Sequence, residues 1–280
     1  MHKISGVYSA ALTPIKEDLT INRDLYLRHC QYLMKQGHDG LAIFGTTGEA
    51  NSFSIKEKCL SIDFLIANRI DPKILIPGTG SSSVKDSILM TKHADEHGVK
   101  GVLLLPPFYY KDVTIDGLYK YYSEVIQQVG SSNLRIYLYH IPPVAQVPIA
   151  IQLIEKLIKN YPNIVVGIKD SSGDWTNTKA MLDCHWDDFR IFVGSENYLL
   201  QNMEHGGSGC ISATANINPK GIKELFDNWD KQNADKLQRY LTQIRNSFSN
   251  FPLIPALKSY LAEHLKEEIW LLPRPPLTPL

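Results

Sequence analysis

No stretch of the 280-residue chain approaches the roughly 20 apolar residues of a membrane-spanning helix, so no membrane association is expected. Cysteine is scarce. The four at positions 30, 59, 184 and 210 include no C-x-x-C pair, which argues against both a zinc framework and a disulfide scaffold. Charge of either sign is not in excess, since 29 basic residues balance 29 acidic ones. The electrostatic footprint of a nucleic-acid binder is therefore missing. Gly78-Thr79-Gly80 lacks the third glycine of a dinucleotide turn. His205-Gly206-Gly207-Ser208-Gly209 resembles an oxyanion loop, but no G-x-S-x-G elbow accompanies it, and it reads as the entry to a strand. Residues 1–6 lack the apolar core of a signal peptide, and a reduced, cytoplasmic protein is the expectation.

What the chain does have is apolar content, 44%, and a length suited to one α/β barrel, typically about 250 residues. Short β-rich runs recur at 6–12, 41–44, 74–78, 102–105, 135–140, 164–169, 190–193 and 210–212, with helical stretches between them. Strand–helix alternation predicts parallel βα units. Helix punctuation agrees: Ser54 through Glu57 fits a capping box, Ser83 and Thr114 are N-cap candidates, and Gly37, Gly98 and Gly130 are stops. Three further helices are expected over 219–231, 234–248 and 254–266, before a proline-rich tail that cannot be helical. The expected architecture is a (β/α)8 TIM barrel over 1–218. A C-terminal helical extension, 219–280, would pack on it as one structural unit.

In such barrels the chemistry sits at the C-terminal ends of the strands. Lys169 ends the apolar run Asn163-Ile164-Val165-Val166-Gly167-Ile168. A lysine at the rim of a buried strand is costly to keep charged, and a neutral amine is what Schiff-base chemistry requires. A lysine that only snorkels to solvent is the plainer reading. One strand earlier, Tyr137 and Tyr139 share a face by alternation and His140 points the other way. After the second strand, Gly45-Thr46-Thr47-Gly48-Glu49 forms a tight turn whose N–H groups and hydroxyls suit a carboxylate. After the fourth, Pro106-Pro107-Phe108-Tyr109-Tyr110 is a rigid aromatic loop fit for a site or for a subunit contact.

Gly45-Thr46-Thr47-Gly48-Glu49, Tyr139-His140-Ile141-Pro142, Gly167-Ile168-Lys169-Asp170 and Gly206-Gly207-Ser208-Gly209-Cys210-Ile211-Ser212 occur in an order that resembles the dihydrodipicolinate synthase / N-acetylneuraminate lyase superfamily of class I pyruvate aldolases. The resemblance runs from Ala11-Leu12-Thr13-Pro14 to the C-terminal tail. It implies that Lys169 forms an imine with pyruvate and that Tyr139 moves protons at the imine and at the aldehyde oxygen. Thr46 and Thr47 would stand beside the pyruvate carboxylate, with Thr47 counted among the catalytic residues. Tyr109, or failing it Tyr110, would be lent to a neighbouring subunit's site in a dimer of dimers. Gly194 and Ile211 would line the pocket. Neither cofactor nor metal is expected, because the iminium does the polarising.

The chain departs from the synthase pattern at Val144, which stands where an arginine usually binds the carboxylate of aspartate semialdehyde. A site built for that carboxylate loses heavily without its partner. The expected substrate is therefore a 2-keto-3-deoxy sugar acid. 4-Hydroxy-tetrahydrodipicolinate synthase is the alternative, and a non-catalytic keto-acid sensor is a second one. His93 and His97, four apart on an expected helix, have metal-ligand spacing. Lacking a third ligand nearby, they read as a polar helix face.

Overall fold

The computed structural model describes residues 4–280; residues 1–3, which begin the stretch read above for a signal peptide, lie outside the described residues. Seven strands form one sheet: β1 (Gly6–Ala10), β2 (Gly40–Ala42), β3 (Val102–Leu104), β4 (Ile136–His140), β5 (Val165–Asp170), β6 (Arg190–Val193) and β7 (Gly209–Ser212). They run parallel in the order β2-β1-β7-β6-β5-β4-β3. Helices flank the sheet, and the whole is a nearly closed TIM barrel.

An eighth strand at 74–78 was expected, and a regular one is not what forms. Pro72–Ile74 is a 3-10 turn, and the chain beyond it makes only isolated bridges, Leu75 to Leu41 and Gly78 to Leu103. Pro77 is the cause, since it has no N–H to give a ladder. The segment still spans the gap between β2 and β3. Ile76 and Gly78 donate to Leu41 and Ile43 (2.9 and 2.8 Å), and the Pro77 carbonyl accepts from Leu103 (2.9 Å). Gly78 is required by crowding, because a Cβ there would come within 2.9 Å of the Phe44 carbonyl carbon.

The helix signals translate directly. Ser54 Oγ accepts from Glu57 N and Glu57 Oε2 accepts from Ser54 N, closing the capping box on the helix Ile55–Ala67. Ser83 caps Val84–Glu96 and Thr114 caps Ile115–Val129, with Gly98 and Gly130 in the left-handed conformation at the far ends. The C-terminal helices span Pro219–Asp227, Ala234–Ser247 and Leu253–Leu265.

The barrel interior is filled, not hollow. Tyr8, Ala42, Ile76, Leu103, Tyr137, Phe192 and Ile211 form one buried layer, with Tyr8 and Tyr137 edge-on to Phe192 at 5.8 and 6.0 Å. This layer is the floor on which the site stands. Asn216 braces the rim above it. Its amide donates to the carbonyls of Ala10 (2.8 Å) and Ala213 (2.6 Å) and accepts from Leu12 N (3.0 Å). One side chain thereby ties the ends of β1 and β7 together.

Candidate active site

Strand alternation decides which side chains face the interior. On β4, Tyr137 belongs to the floor layer, so Tyr139, two residues on, stands above it; Ile136 and Leu138 pack outward against the helices. On β5, Ile168 packs outward in the same way, leaving Gly167 and Lys169 inward. Tyr139 and Lys169 are direct partners across the β4–β5 register. Gly167 has no room for a side chain, because a Cβ would approach Tyr137 Cδ1 to 2.7 Å. The floor tyrosine thus occupies the space beneath the lysine.

Lys169 and Tyr139 are each only 4% exposed. Lys169 Nζ lies 3.5 Å from Tyr139 Oη and 4.4 Å from the ring centroid. Tyr139 Oη is 3.1 Å from Thr46 Oγ1. Amine, phenol and threonine hydroxyl form a chain along which a proton can pass, at the loose end of hydrogen-bond distances, as is common in unliganded sites. Asp170 follows Lys169 but faces outward. It accepts from Ser172 N (2.9 Å), Asn177 Nδ2 (3.0 Å) and Thr178 Oγ1 (2.7 Å). Among the described residues no carboxylate lies within ion-pair distance of Lys169 Nζ. His140 also faces outward, accepting at Nδ1 from Ile149 N (3.0 Å); burial, opposed by the charge of Asp170, holds its pKa down. It is a neutral brace between β4 and the following segment.

A cavity of about 340 Å³ opens over this chain of groups. Thr46, Thr47 and Gly194 line it with Tyr139 and Lys169. Gly194 is glycine because a Cβ would lie 2.8 Å from that of Ser171. Ile211 does not reach the cavity: it is fully buried in the floor layer, and Ala213, just past the end of that strand, lines the wall instead. Thr46, expected only to bind, is the threonine that touches Tyr139; Thr47 lines the cavity beside it. Tyr109 and Tyr110 lie outside the lining, 74% and 72% exposed and edge to face at 5.3 Å. Their loop is fixed from below by Ser82, whose Oγ accepts from the N–H of Phe108 and Tyr109.

The model of the dihydrodipicolinate synthetase family matches residues 3–280. This chain belongs to that family. An uncharacterized DapA-like lyase of Chloroflexus aurantiacus is 32% identical over 98% of this chain and 92% of its own length. The crystal structure of dihydrodipicolinate synthase from Agrobacterium tumefaciens superposes with a TM-score of 0.90 at 32% identity, covering 98% and 93% of the two chains. A 2-keto 3-deoxygluconate aldolase from Picrophilus torridus has the same TM-score at 25% identity, covering 99% and 98%. The protein is a class I aldolase of the dihydrodipicolinate synthetase family, a carbon–carbon lyase acting on small molecules. Among the described residues no helix is long and apolar enough to cross a membrane.

Within this family member, three parts of the site escaped sequence reasoning. Glu196, buried after β6, accepts from both Ser212 and Thr214 and so holds the rim of β7. Arg245, from the helix Ala234–Ser247, reaches the cavity. Leu277 of the tail and Leu253 and Ile254 of the last helix close its far wall. The apolar run from Phe251 to Leu257 was a signal for that wall, but nothing local says which surface it covers.

Glu49 links the tail to the threonine turn. It sits in the left-handed conformation, fully buried, in an ion pair with the equally buried Lys258. Lys258 Nζ also donates to Leu272 O (2.9 Å), and Glu49 Oε2 accepts from Arg274 N (2.6 Å). Burial pushes the Lys258 pKa down, and Glu49 opposes the shift. Lys258→Met leaves the carboxylate without its counter-charge, which typically costs about 3–5 kcal/mol. Urea denaturation is expected to show a lower midpoint by a corresponding amount. An unchanged midpoint would mean that the Arg274 N–H alone satisfies Glu49.

Proposed function

We propose that this aldolase forms a Schiff base between Lys169 and pyruvate and makes or cleaves a 2-keto-3-deoxy sugar acid. The single observation that carries the reading is the Lys169–Tyr139–Thr46 chain of groups under an open cavity. The amine of Lys169 attacks C2 of pyruvate. Protonation of the resulting alkoxide and loss of water give an iminium, whose positive charge lets C3 release a proton. The enamine then adds through C3 to the carbon of an aldehyde, and the new alkoxide takes up a proton. Hydrolysis of the imine frees the product and restores the amine. Cleavage is the same path reversed. In this reading Tyr139, 3.5 Å from the lysine nitrogen, gives and takes these protons, with Thr46 as the next hydroxyl outward. The turn at Thr46 and Thr47 is suited to the pyruvate carboxylate. Neither residue's N–H donates to a backbone carbonyl among the described residues.

The sugar-acid reading rests on Val144, an apolar residue lining the cavity, where the synthase pattern has an arginine for the substrate carboxylate. Arg245 favours the second reading, a 4-hydroxy-tetrahydrodipicolinate synthase. It lines the same cavity, and its guanidinium Nη1 is buried without a hydrogen-bond partner. A buried unpaired donor is costly, and a substrate carboxylate would relieve it. A panel assay decides between them. Pyruvate release from 2-keto-3-deoxy sugar acids is expected to exceed condensation with aspartate semialdehyde in kcat/KM, and Val144→Arg is expected to raise the latter. If the wild type condenses aspartate semialdehyde at about 10⁴ M⁻¹s⁻¹ or above, and Arg245→Met abolishes this, the synthase reading replaces the first.

The exposed pair Tyr109 and Tyr110 supports a homo-oligomer, a dimer of dimers in which this aromatic loop meets a neighbour. Both readings of the substrate are compatible with a cytoplasmic enzyme.

A further inference from the structure

Away from the cavity, on the outer layer of the barrel, the neighbouring helices Ile55–Ala67 and Val84–Glu96 bring together three groups that the pocket does not use. His93 and His97 are one turn apart, the latter at the helix cap, so both imidazoles leave the same face. Asp63 faces them from the other helix. His93 Nε2 lies 2.8 Å and His97 Nε2 2.9 Å from the same atom, Asp63 Oδ1. One ligand atom from each residue lies within 4.8 Å of the other two.

The contacts are short, yet neither His93 Nε2 nor Asp63 Oδ1 has a hydrogen-bond partner, although both atoms are buried from solvent. The separations of 2.8 and 2.9 Å fall within hydrogen-bond range, yet His93 Nε2 makes no hydrogen bond to Asp63 Oδ1. Two imidazole nitrogens and a carboxylate oxygen instead converge on a shared space. A pair of ordinary ion pairs would align each N–H with its acceptor.

We propose that Asp63, His93 and His97 form a binding site for one divalent transition-metal ion of the zinc class, clamping the two helices together. Zinc–nitrogen and zinc–oxygen bonds of about 2.0–2.2 Å in a tetrahedron need ligand atoms about 3.3–3.5 Å apart. The present separations of the two nitrogens from the oxygen open to that value with a shift of roughly half an ångström, within reach of side-chain rotation. The side chains of His93, His97 and Asp63 are 25%, 34% and 41% exposed, so the cluster lies near the protein surface. A donor set of two imidazoles and one carboxylate favours zinc, cobalt or nickel over magnesium or calcium. Cys59, one turn before Asp63, stays outside the set: its thiol donates to Met90 Sδ at 3.7 Å. Burial, and then the charge of Asp63, also keep that thiol protonated.

The test is calorimetric titration of the full-length, chelator-treated protein with zinc chloride, together with the visible spectrum of cobalt(II) added in its place. One zinc per chain is expected, with cobalt bands of the intensity given by four-coordinate nitrogen and oxygen ligands. His93→Ala and His97→Ala are each expected to weaken zinc binding by at least about 100-fold, more than a lost supporting group costs. The double variant should lose the stoichiometric event and the cobalt bands. Asp63→Asn, the mildest change in shape, should weaken binding while leaving the metal-free melting temperature nearly unchanged. Aldolase turnover should not change in any of them, because none of the three residues lines the cavity. Wild-type affinity weaker than about 1 mM, or a stoichiometric zinc event that survives in the double variant, would overturn the site and leave the trio as an ion-paired helix contact.

Discussion

Lys169→Ala is expected to abolish turnover while the barrel stays folded. The covalent path begins at this nitrogen, and the described residues offer no second amine in the cavity lining, where the other basic side chain is the guanidinium of Arg245. Removing the nucleophile of a covalent mechanism costs on the order of 10⁴–10⁶-fold in kcat. The stability cost should be small for a residue so buried. The alkyl stem leaves a gap that merges with the cavity, and a polar amine that folding had to bury is gone. The measurement is mass spectrometry after borohydride reduction in the presence of pyruvate, with a thermal melt alongside. Wild type should carry one reduced pyruvate adduct at Lys169 and the variant none. An adduct of equal yield in Lys169→Ala would remove the lysine from the mechanism. An adduct at Lys169 in the wild type, without turnover of any aldehyde or 2-keto acid, would instead point to a keto-acid sensor.

The features legible in the sequence were those that a period of two or a cap can encode. Alternation on β4 places Tyr139 inward and His140 outward, and both lie so. The apolar run before Lys169 marks a buried strand because parallel strands are covered on both faces. Where the reading went astray, a distant partner or a missing donor decided the matter. The run at 74–78 has strand composition, but Pro77 cannot donate to a ladder, so an irregular segment closes the barrel. The resemblance put Ile211 in the pocket wall, yet Ile211 belongs to the floor layer beneath the cavity, and Ala213 beyond the strand end lines the wall. Arg245 and Leu277 reach the cavity only because the last helices and the tail fold back across the strand ends. Nothing in their local sequence carries that information. Asp63 lies thirty residues before His93 on another helix, so no spacing rule could have supplied it as the third member of that cluster.

Tyr139→Phe isolates the phenol from the rest of the site. The ring that packs 4.4 Å from Lys169 Nζ is kept, and only the hydroxyl between Lys169 and Thr46 is lost. Packing and the buried register with β5 should survive, so the melting temperature should move little. The hydroxyl is asked to do several things: protonate the departing oxygen as the imine forms, and exchange a proton with the aldehyde oxygen when the carbon–carbon bond is made or broken. Losing a positioned acid–base group costs roughly 10²–10⁴-fold, and kcat is expected to fall within that range. Because water can replace the phenol slowly at the imine step, borohydride trapping should still reach one adduct per chain, but with slower build-up. That separates this variant from Lys169→Ala, where the adduct is absent at any time. Thr46→Val supplies the comparison. It keeps the phenol and removes only the outer hydroxyl, so its loss should be smaller than that of Tyr139→Phe. Two outcomes would count against the proton chain. Near-wild-type kcat in Tyr139→Phe would reduce Tyr139 to a wall that orients the lysine. A larger loss in Thr46→Val than in Tyr139→Phe would place the working hydroxyl on the threonine turn instead.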